Sequence, residues 1–251
     1  MTDTGSNSGN NTAGNSEGVR LAKRVAEIVS CSRAEAERYI AGGWVSVDGN
    51  VAEDPAMRVA PAQAVTLLPG ATAQEPLPVT ILLHKPAGVD AAAALALLGP
   101  DTLAQGAQGA QGGQRFLKRH LAKLTAATPL EANASGLVVF SQDWRMLRKL
   151  VEDSNRIEQE YVLEVEGDYI SETALGKMSA IGTPAAPVKV SRQSETRLRI
   201  AGKGIRPGRI EAACKAAGLA LKSLRRLRVG RIALSSLPAG QWRYLGEFER
   251  F

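Results

Sequence analysis

The chain has 251 residues, 44% hydrophobic and 22% charged, the composition of an ordinary globular protein with room for two domains. Lys and Arg number 31 against 25 Asp and Glu, a surplus that favours a polyanionic partner. Cys31 and Cys214 stand far apart and His84 and His120 are the only histidines, which excludes a zinc site and a disulfide framework; no apolar run approaches the roughly 20 residues that cross a bilayer.

Residues 1–18, mostly Ser, Gly, Asn and Thr, lack the apolar core of a signal peptide and have almost nothing to bury, so a disordered tail on a cytoplasmic protein is expected. In VRLAKRVAEIV, Leu21, Val25, Ile28 and Val29 recur at helical spacing. Ser32-Arg33-Ala34-Glu35 fits a capping box that opens a second helix, which Gly42-Gly43 ends. WVSVDGNVAED then carries a hairpin signal at Asp48-Gly49. Between Glu17 and Ala60 six Lys or Arg meet seven Asp or Glu. RNA affinity in this part must therefore come from clustering of Arg20, Lys23, Arg24, Arg33 and Arg38 on one face.

The Pro- and Ala-rich PGATAQEPLP supplies a linker at 71–77 before a second domain over 78–251. A strand over Val79 to His84 ends in the Pro-Ala-Gly turn after Lys85. The low-complexity stretch 103–114 reads as a flexible insertion. A loop, TPLEANAS, carries Glu131 into the apolar run GLVVF, and Asp143 caps a helix with Trp144, Leu147, Leu150 and Val151 on one face. EYVLEVEG alternates Tyr161, Leu163 and Val165 as a strand; further strands are expected around VKVS and RLRIA, then a helix in GRIEAACKAAG. Helices and strands mix without regular βαβ spacing, so the fold class is α+β, a small α/β domain followed by a larger one with a mainly antiparallel sheet.

Nine basic residues between Lys203 and Arg231 face one acid, Glu211. This favours a nucleic-acid surface, with Arg225, Arg226 and Arg228 as phosphate contacts. Lys85 reads equally as a phosphate contact at the mouth of a cleft or a solvated lysine at a strand end. His84 and His120 read as structural or surface residues, for neither has a second ligand or acid at useful spacing.

The order helix, helix, hairpin, with RLAK, SRAEAERYI and VSVDG, resembles over about residues 19–70 the RNA-binding domain named after small-subunit ribosomal protein S-four. KPAG, SGLVVFSQD, EQEYVLEVEG and LKSLRRLRVGRIALSSLPAGQWRYL resemble the ribosomal small-subunit family of RNA pseudouridine synthases, in which such a domain precedes the catalytic one. The resemblance implies isomerisation of a uridine in structured RNA, ribosomal RNA foremost, with no cofactor; a monomer without a metal is expected. The family's nucleophilic aspartate aligns with Glu131, a longer acid, and its base-packing tyrosine with Tyr161. The arginine before that aspartate becomes Pro129, and a lysine near the tyrosine becomes Gln159. The arginine that pairs with the aspartate falls on Gly208, leaving Arg209 or Arg206 to reach the carboxylate. The alternative is a catalytically silent RNA-binding protein of the same fold. A glycosidase is disfavoured because no second acid of suitable context accompanies Glu131.

Overall fold

The computed structural model describes residues 18–104, 116–183 and 186–251. The expected tail up to residue 17 and the body of the expected insertion lie outside these. The insertion begins later than position 103, because Leu103 is buried in a bridge with Trp242, and the Ala104 N–H donates to the Trp242 carbonyl (2.9 Å). The chain divides into two compact units, Met1–Pro76 and Leu77–Phe251.

In the first unit β1 (Val19–Arg20) runs into α1 (Leu21–Val29), then α2 (Arg33–Ala41), β2 (Val45–Val47), β3 (Asn50–Ala52), β4 (Arg58–Val59) and β5 (Val65–Leu67). The buried stripe of α1 runs through Leu21, Ala22 and Val25 with Val29 half-buried, and leaves Ile28 at its edge, 50% exposed rather than packed as its spacing suggested. The capping box of α2 is complete. The Ser32 hydroxyl accepts from the Glu35 N–H (3.3 Å), and the Glu35 carboxylate accepts from the Ser32 N–H (2.9 Å). Asp48 and Gly49 both take positive φ, 51° and 81°, as a two-residue turn between right-twisted strands requires.

The second unit contains β6 (Thr80–Lys85), α3 (Ala91–Ala96), β7 (Thr125–Ala126), β8 (Ser135–Ser141), α4 (Trp144–Leu147), β9 (Glu158–Val165), α5 (Glu172–Met178), β10 (Val188–Arg192), β11 (Arg197–Lys203), α6 (Arg209–Ala217), β12 (Leu221–Val229), β13 (Ile232–Ala233) and β14 (Trp242–Tyr244). Its sheet has the order β10-β11-β9-β12-β8-β6-β14, antiparallel throughout except for the parallel pair β8 and β12. β6 and β8 are buried on both faces, so their sequences are continuous apolar runs: Ile81, Leu83, Val138 and Phe140 enter one core, Leu82, Leu137 and Val139 the other. β9 and β11 alternate because only one face is covered; Tyr161, Leu163, Leu198 and Ile200 point inward. Across the other face Glu160 pairs with Arg199 (2.8 Å) and Arg228 (3.1 Å), and Glu164 with Arg197 (3.0 Å) and Lys222 (2.8 Å).

The expected helix after Asp143 departs from a regular amphipathic one. After four α-helical residues the chain winds into a π-helical turn, Arg148–Glu152. Leu150 within this turn is buried in the core, whereas Trp144 is 63% and Val151 52% exposed.

Both histidines are buried and structural. The His84 ring Nδ1 contacts the Leu237 carbonyl (2.7 Å), and His120 Nδ1 the Tyr244 hydroxyl (2.8 Å). Burial and then the nearby Arg119 push the His120 pKa down to about 4 from 6.5. On acidification the unfolded chain takes up this proton first, so the native state loses stability as pH falls from about 6.5 towards 4. Urea unfolding at stepped pH should show that loss already above pH 4.5, the ordinary pKa of the paired glutamates such as Glu249, and His120→Gln should remove it.

Candidate active site

One level of the sheet places the residues around Glu131. In register across the strands stand Lys85 on β6, Gly136 on β8, Arg226 on β12, Tyr161 on β9 and Ile200 on β11. Gly136 has φ +113°, and a Cβ there would run into the Arg226 backbone. Only glycine allows β8 and β12 to approach so closely where the Glu131 loop leaves the sheet.

Arg226 is 2% exposed. Its Nε donates to the Leu137 carbonyl (2.7 Å), and Nη2 to the Thr128 carbonyl and to Thr128 Oγ1 (3.1 Å). Nη1 donates to the Pro129 carbonyl (3.3 Å) and Gln159 Oε1 (3.4 Å), with the Tyr161 hydroxyl 3.5 Å away. The Tyr161 hydroxyl itself donates to Gln159 Oε1 (2.6 Å). Gln159 thus accepts from both neighbours, which a lysine in its place could not do. A register shift in β12 between Arg226 and Arg228 separates these two side chains. Arg226 goes under the loop, whereas Arg228 joins Glu158 (2.5 Å) and Glu160.

Lys85 is also buried, 1% exposed. Its Nζ donates to the carbonyls of Val89 (2.7 Å), Pro86 (3.0 Å) and Ala132 (3.2 Å), tying the KPAG turn to the residue after Glu131. Burial pushes its pKa down, the Glu131 charge pulls it up, and Arg226 pushes it down again. Both sequence readings of Lys85 as an exposed cation are therefore corrected: it is an internal strut of the loop. Arg226 is corrected likewise, since it is 2% exposed and its guanidinium is committed to acceptors of the loop and the sheet.

Glu131 is half-buried, and its Oε1 accepts from the Gly208 N–H at the start of α6. Oε2 accepts no hydrogen bond among the described residues. Gly208 has φ +79°, which aims its amide at the loop from the N-terminal end of the helix, where partial positive charge favours a carboxylate. Arg209 does not make this contact; its Nε donates to the Ile181 carbonyl (3.1 Å). Beside Glu131, a recess of about 180 Å³ is lined by Thr128 and Pro129 from its own loop, Arg206 and Pro207 from the turn before α6, Gln159, Arg226, and Leu150, Val151 and Ser154. Arg206 is the exposed cation of this lining.

Of the remaining basic residues expected on an RNA surface, Arg225 is exposed and Arg228 is engaged by its two glutamates. In the first unit Arg20, Lys23 and Arg33 line a common recess of about 380 Å³. Arg33 also pairs with Glu37 (2.9 Å). Arg24 and Arg38 lie outside that lining, Arg24 half-buried and Arg38 exposed. No group of three His, Cys, Asp or Glu among the described residues is placed to hold a metal ion, and no described helix is long and apolar enough to cross a membrane.

Residues 19–65 match the family model described as the S4 domain. Over 238 residues the chain is 28% identical to the dual-specificity RNA pseudouridine synthase RluF of Escherichia coli (strain K12), covering 92% of this chain and 77% of that protein. It is also 28% identical over 242 residues to ribosomal small subunit pseudouridine synthase A of Salmonella typhimurium, covering 92% and 98%. Among solved structures, a crystal structure of a pseudouridylate synthase matches with a TM-score of 0.55 at 17% identity, over 91% of this chain and 96% of that one, which shows a shared fold.

The Lys85 strut generates a test. Lys85→Ala removes the donor shared by three part-buried carbonyls and the packing of its stem, and should destabilise the protein by about 2 kcal/mol in denaturant unfolding. A surface phosphate contact would instead leave stability unchanged and flatten the salt dependence of RNA binding.

Proposed function

We propose that this chain, homologous over nearly its whole folded length to the small-subunit type of RNA pseudouridine synthases, isomerises a uridine of ribosomal RNA, with Glu131 as the carboxylate at the reacting sugar. The observation that carries the reading is the placement of Glu131. It is tied through Oε1, its Oε2 accepts no hydrogen bond among the described residues, its charge acts on the buried Lys85, and Thr128 and Pro129 of its own loop line a recess.

The reaction breaks the bond between the base nitrogen and the anomeric carbon and joins the same base through its C5 carbon instead; C5 gives up its proton and the freed ring nitrogen takes one up, so the atoms balance. A carboxylate at that carbon takes up the oxocarbenium-like charge while the base turns. Reactant and product are isomers, so no redox partner or group donor is consumed. Substrate must enter unstacked, because the anomeric carbon of a paired nucleotide is out of reach. Arg206 at the rim meets the incoming backbone, and Gln159 lines the recess, while Tyr161, expected to pack on the base, is buried in the core behind Gln159, to which its hydroxyl donates, so that it positions this wall from behind. Arg209, bonded to Ile181, serves the turn that presents Gly208; the backbone amide takes the orienting part assigned to an arginine. Arg20, Lys23 and Arg33 in the first unit and Arg225 in the second supply further phosphate contacts. Such an enzyme works as a monomer in the cytoplasm, where ribosomal RNA is made accessible during assembly.

The longer acid at 131 favours one competing reading, a silent RNA-binding protein, and activity separates the two. On RNA from a strain lacking the gene, the wild-type protein should form one pseudouridine that is missing from that strain. Glu131→Gln and Glu131→Ala should lose at least roughly a thousandfold in rate with RNA affinity nearly intact. Glu131→Asp, which withdraws the carboxylate by about 1 Å, should lose about a hundredfold. A wild type inactive on that RNA would overturn the isomerase reading.

A further inference from the structure

The segment 144–157 has two flanks. One presents Leu150, Val151 and Ser154 to the recess beside Glu131. The other is an open recess of about 440 Å³ lined by Trp144, Arg145, Arg148, Lys149, Asp153, Arg156 and Ile157. Four cations meet one carboxylate in that lining. Nearby, Asp143 is occupied as the cap of the Arg145 N–H (2.9 Å), and Glu152 pairs with Arg148 at 3.3 Å with both side chains about two-thirds exposed (65% and 68%), a weak pair that exchanges readily for another anion.

Trp144 itself is 63% exposed, with the Arg145 guanidinium 5.7 Å from its ring centroid. An indole left in water among cations gains nothing from the fold, for its side chain is outside both cores of the second unit. A π-face next to several cations matches what each unpaired nucleotide offers, a base to stack and a phosphate to pair.

We infer that this flank is a second RNA contact, in which an unpaired base of the substrate strand stacks on Trp144 while Arg145, Arg148, Lys149 and Arg156 hold the adjoining phosphates. The inference rests on the reading of this chain as an RNA-acting protein and adds to it the path of the strand beyond the reacting nucleotide. Because one short segment lines both recesses, a strand bound at Trp144 continues towards the Glu131 loop over that segment.

The test compares wild type, Trp144→Ala, Trp144→Phe, Trp144→Leu and the double variant Arg148→Ala with Lys149→Ala, all in the full chain. The probes are a short single-stranded oligouridylate and an RNA duplex of the same length. Trp144→Ala and Trp144→Leu should each weaken oligouridylate binding about tenfold, Trp144→Phe should keep most of the affinity, and duplex binding should change little. The double variant should lower the slope of log affinity against log salt for the single strand by about 1.4, from roughly 0.7 per phosphate contact. Thermal unfolding should be unchanged in all of them; if Trp144→Ala fails to fold, Trp144→Leu carries the same comparison. Wild-type affinity in Trp144→Ala or Trp144→Leu would overturn the inference and leave the patch as a protein-docking or solvated face. An inactive wild type that binds oligouridylate through Trp144 would overturn the isomerase reading and leave this contact standing; an active wild type indifferent to Trp144 would do the reverse.

Discussion

The Arg226 guanidinium lies under the Glu131 loop, where removing a charge from water costs several kcal/mol unless every N–H finds an acceptor. All five find one: Nε on Leu137, the two of Nη2 on Thr128, and the two of Nη1 among Pro129, Gln159 and Tyr161. Three of these are loop or strand carbonyls that would themselves be stranded without the arginine. The loop conformation and the burial of Arg226 therefore depend on each other. Lys85 repeats the device from the other side through the Ala132 carbonyl, so the chain is pinned both before and after Glu131 while the acid itself stays half-buried.

Two backbone features make that arrangement possible. Gly136 lets β8 and β12 close up as a parallel pair, which brings Arg226 beneath the loop leaving β8. The register shift after Arg226 then redirects Arg228 to the glutamates on β9. Without it, the alternation of a strand would send both arginines to one face, and one of two adjacent buried cations would lack acceptors. The glutamate at 131 fits the same logic. Its reach ends at the Gly208 amide, and a backbone N–H at a helix start orients a carboxylate without a second buried charge.

This arrangement also redistributes the basic surface. In the stretch from Lys203 to Arg231, Arg226 is internal, Arg209 bonds a carbonyl, and Lys222 and Arg228 pair across the sheet. Lys203, Arg206, Lys215, Arg225 and Arg231 of that stretch stay exposed, and the cations that border the recesses are Arg206 near Glu131, Arg145, Arg148, Lys149 and Arg156 around Trp144, and Arg20, Lys23 and Arg33 in the first unit. Position relative to a concavity, more than net charge, decides which of them can meet a phosphate.

Local signals were legible in the chain itself. The capping box at Ser32, the Asp48-Gly49 turn, the continuous apolar runs of β6 and β8 and the alternation of β9 each follow from forces between near neighbours, and each forms where its residues predict. The motif around Glu131 was also readable, because its spacing to Gly136-Leu137 lies within one short segment. What tertiary structure decided was the partner of each charged side chain. Lys85, Arg226 and Arg228 look alike in sequence, since a lysine or arginine at a strand end or in a basic run carries no mark of burial. The fates of Arg226 and Arg228 depend on distant acceptors reached only through the register of β8, β12 and β9, and Lys85 joins two carbonyls of its own turn to that of Ala132 across β6 and β8. Trp144 shows the converse: its helical spacing marked it as core, yet it is left in solvent on the side away from Leu150, a choice of face that periodicity alone does not make.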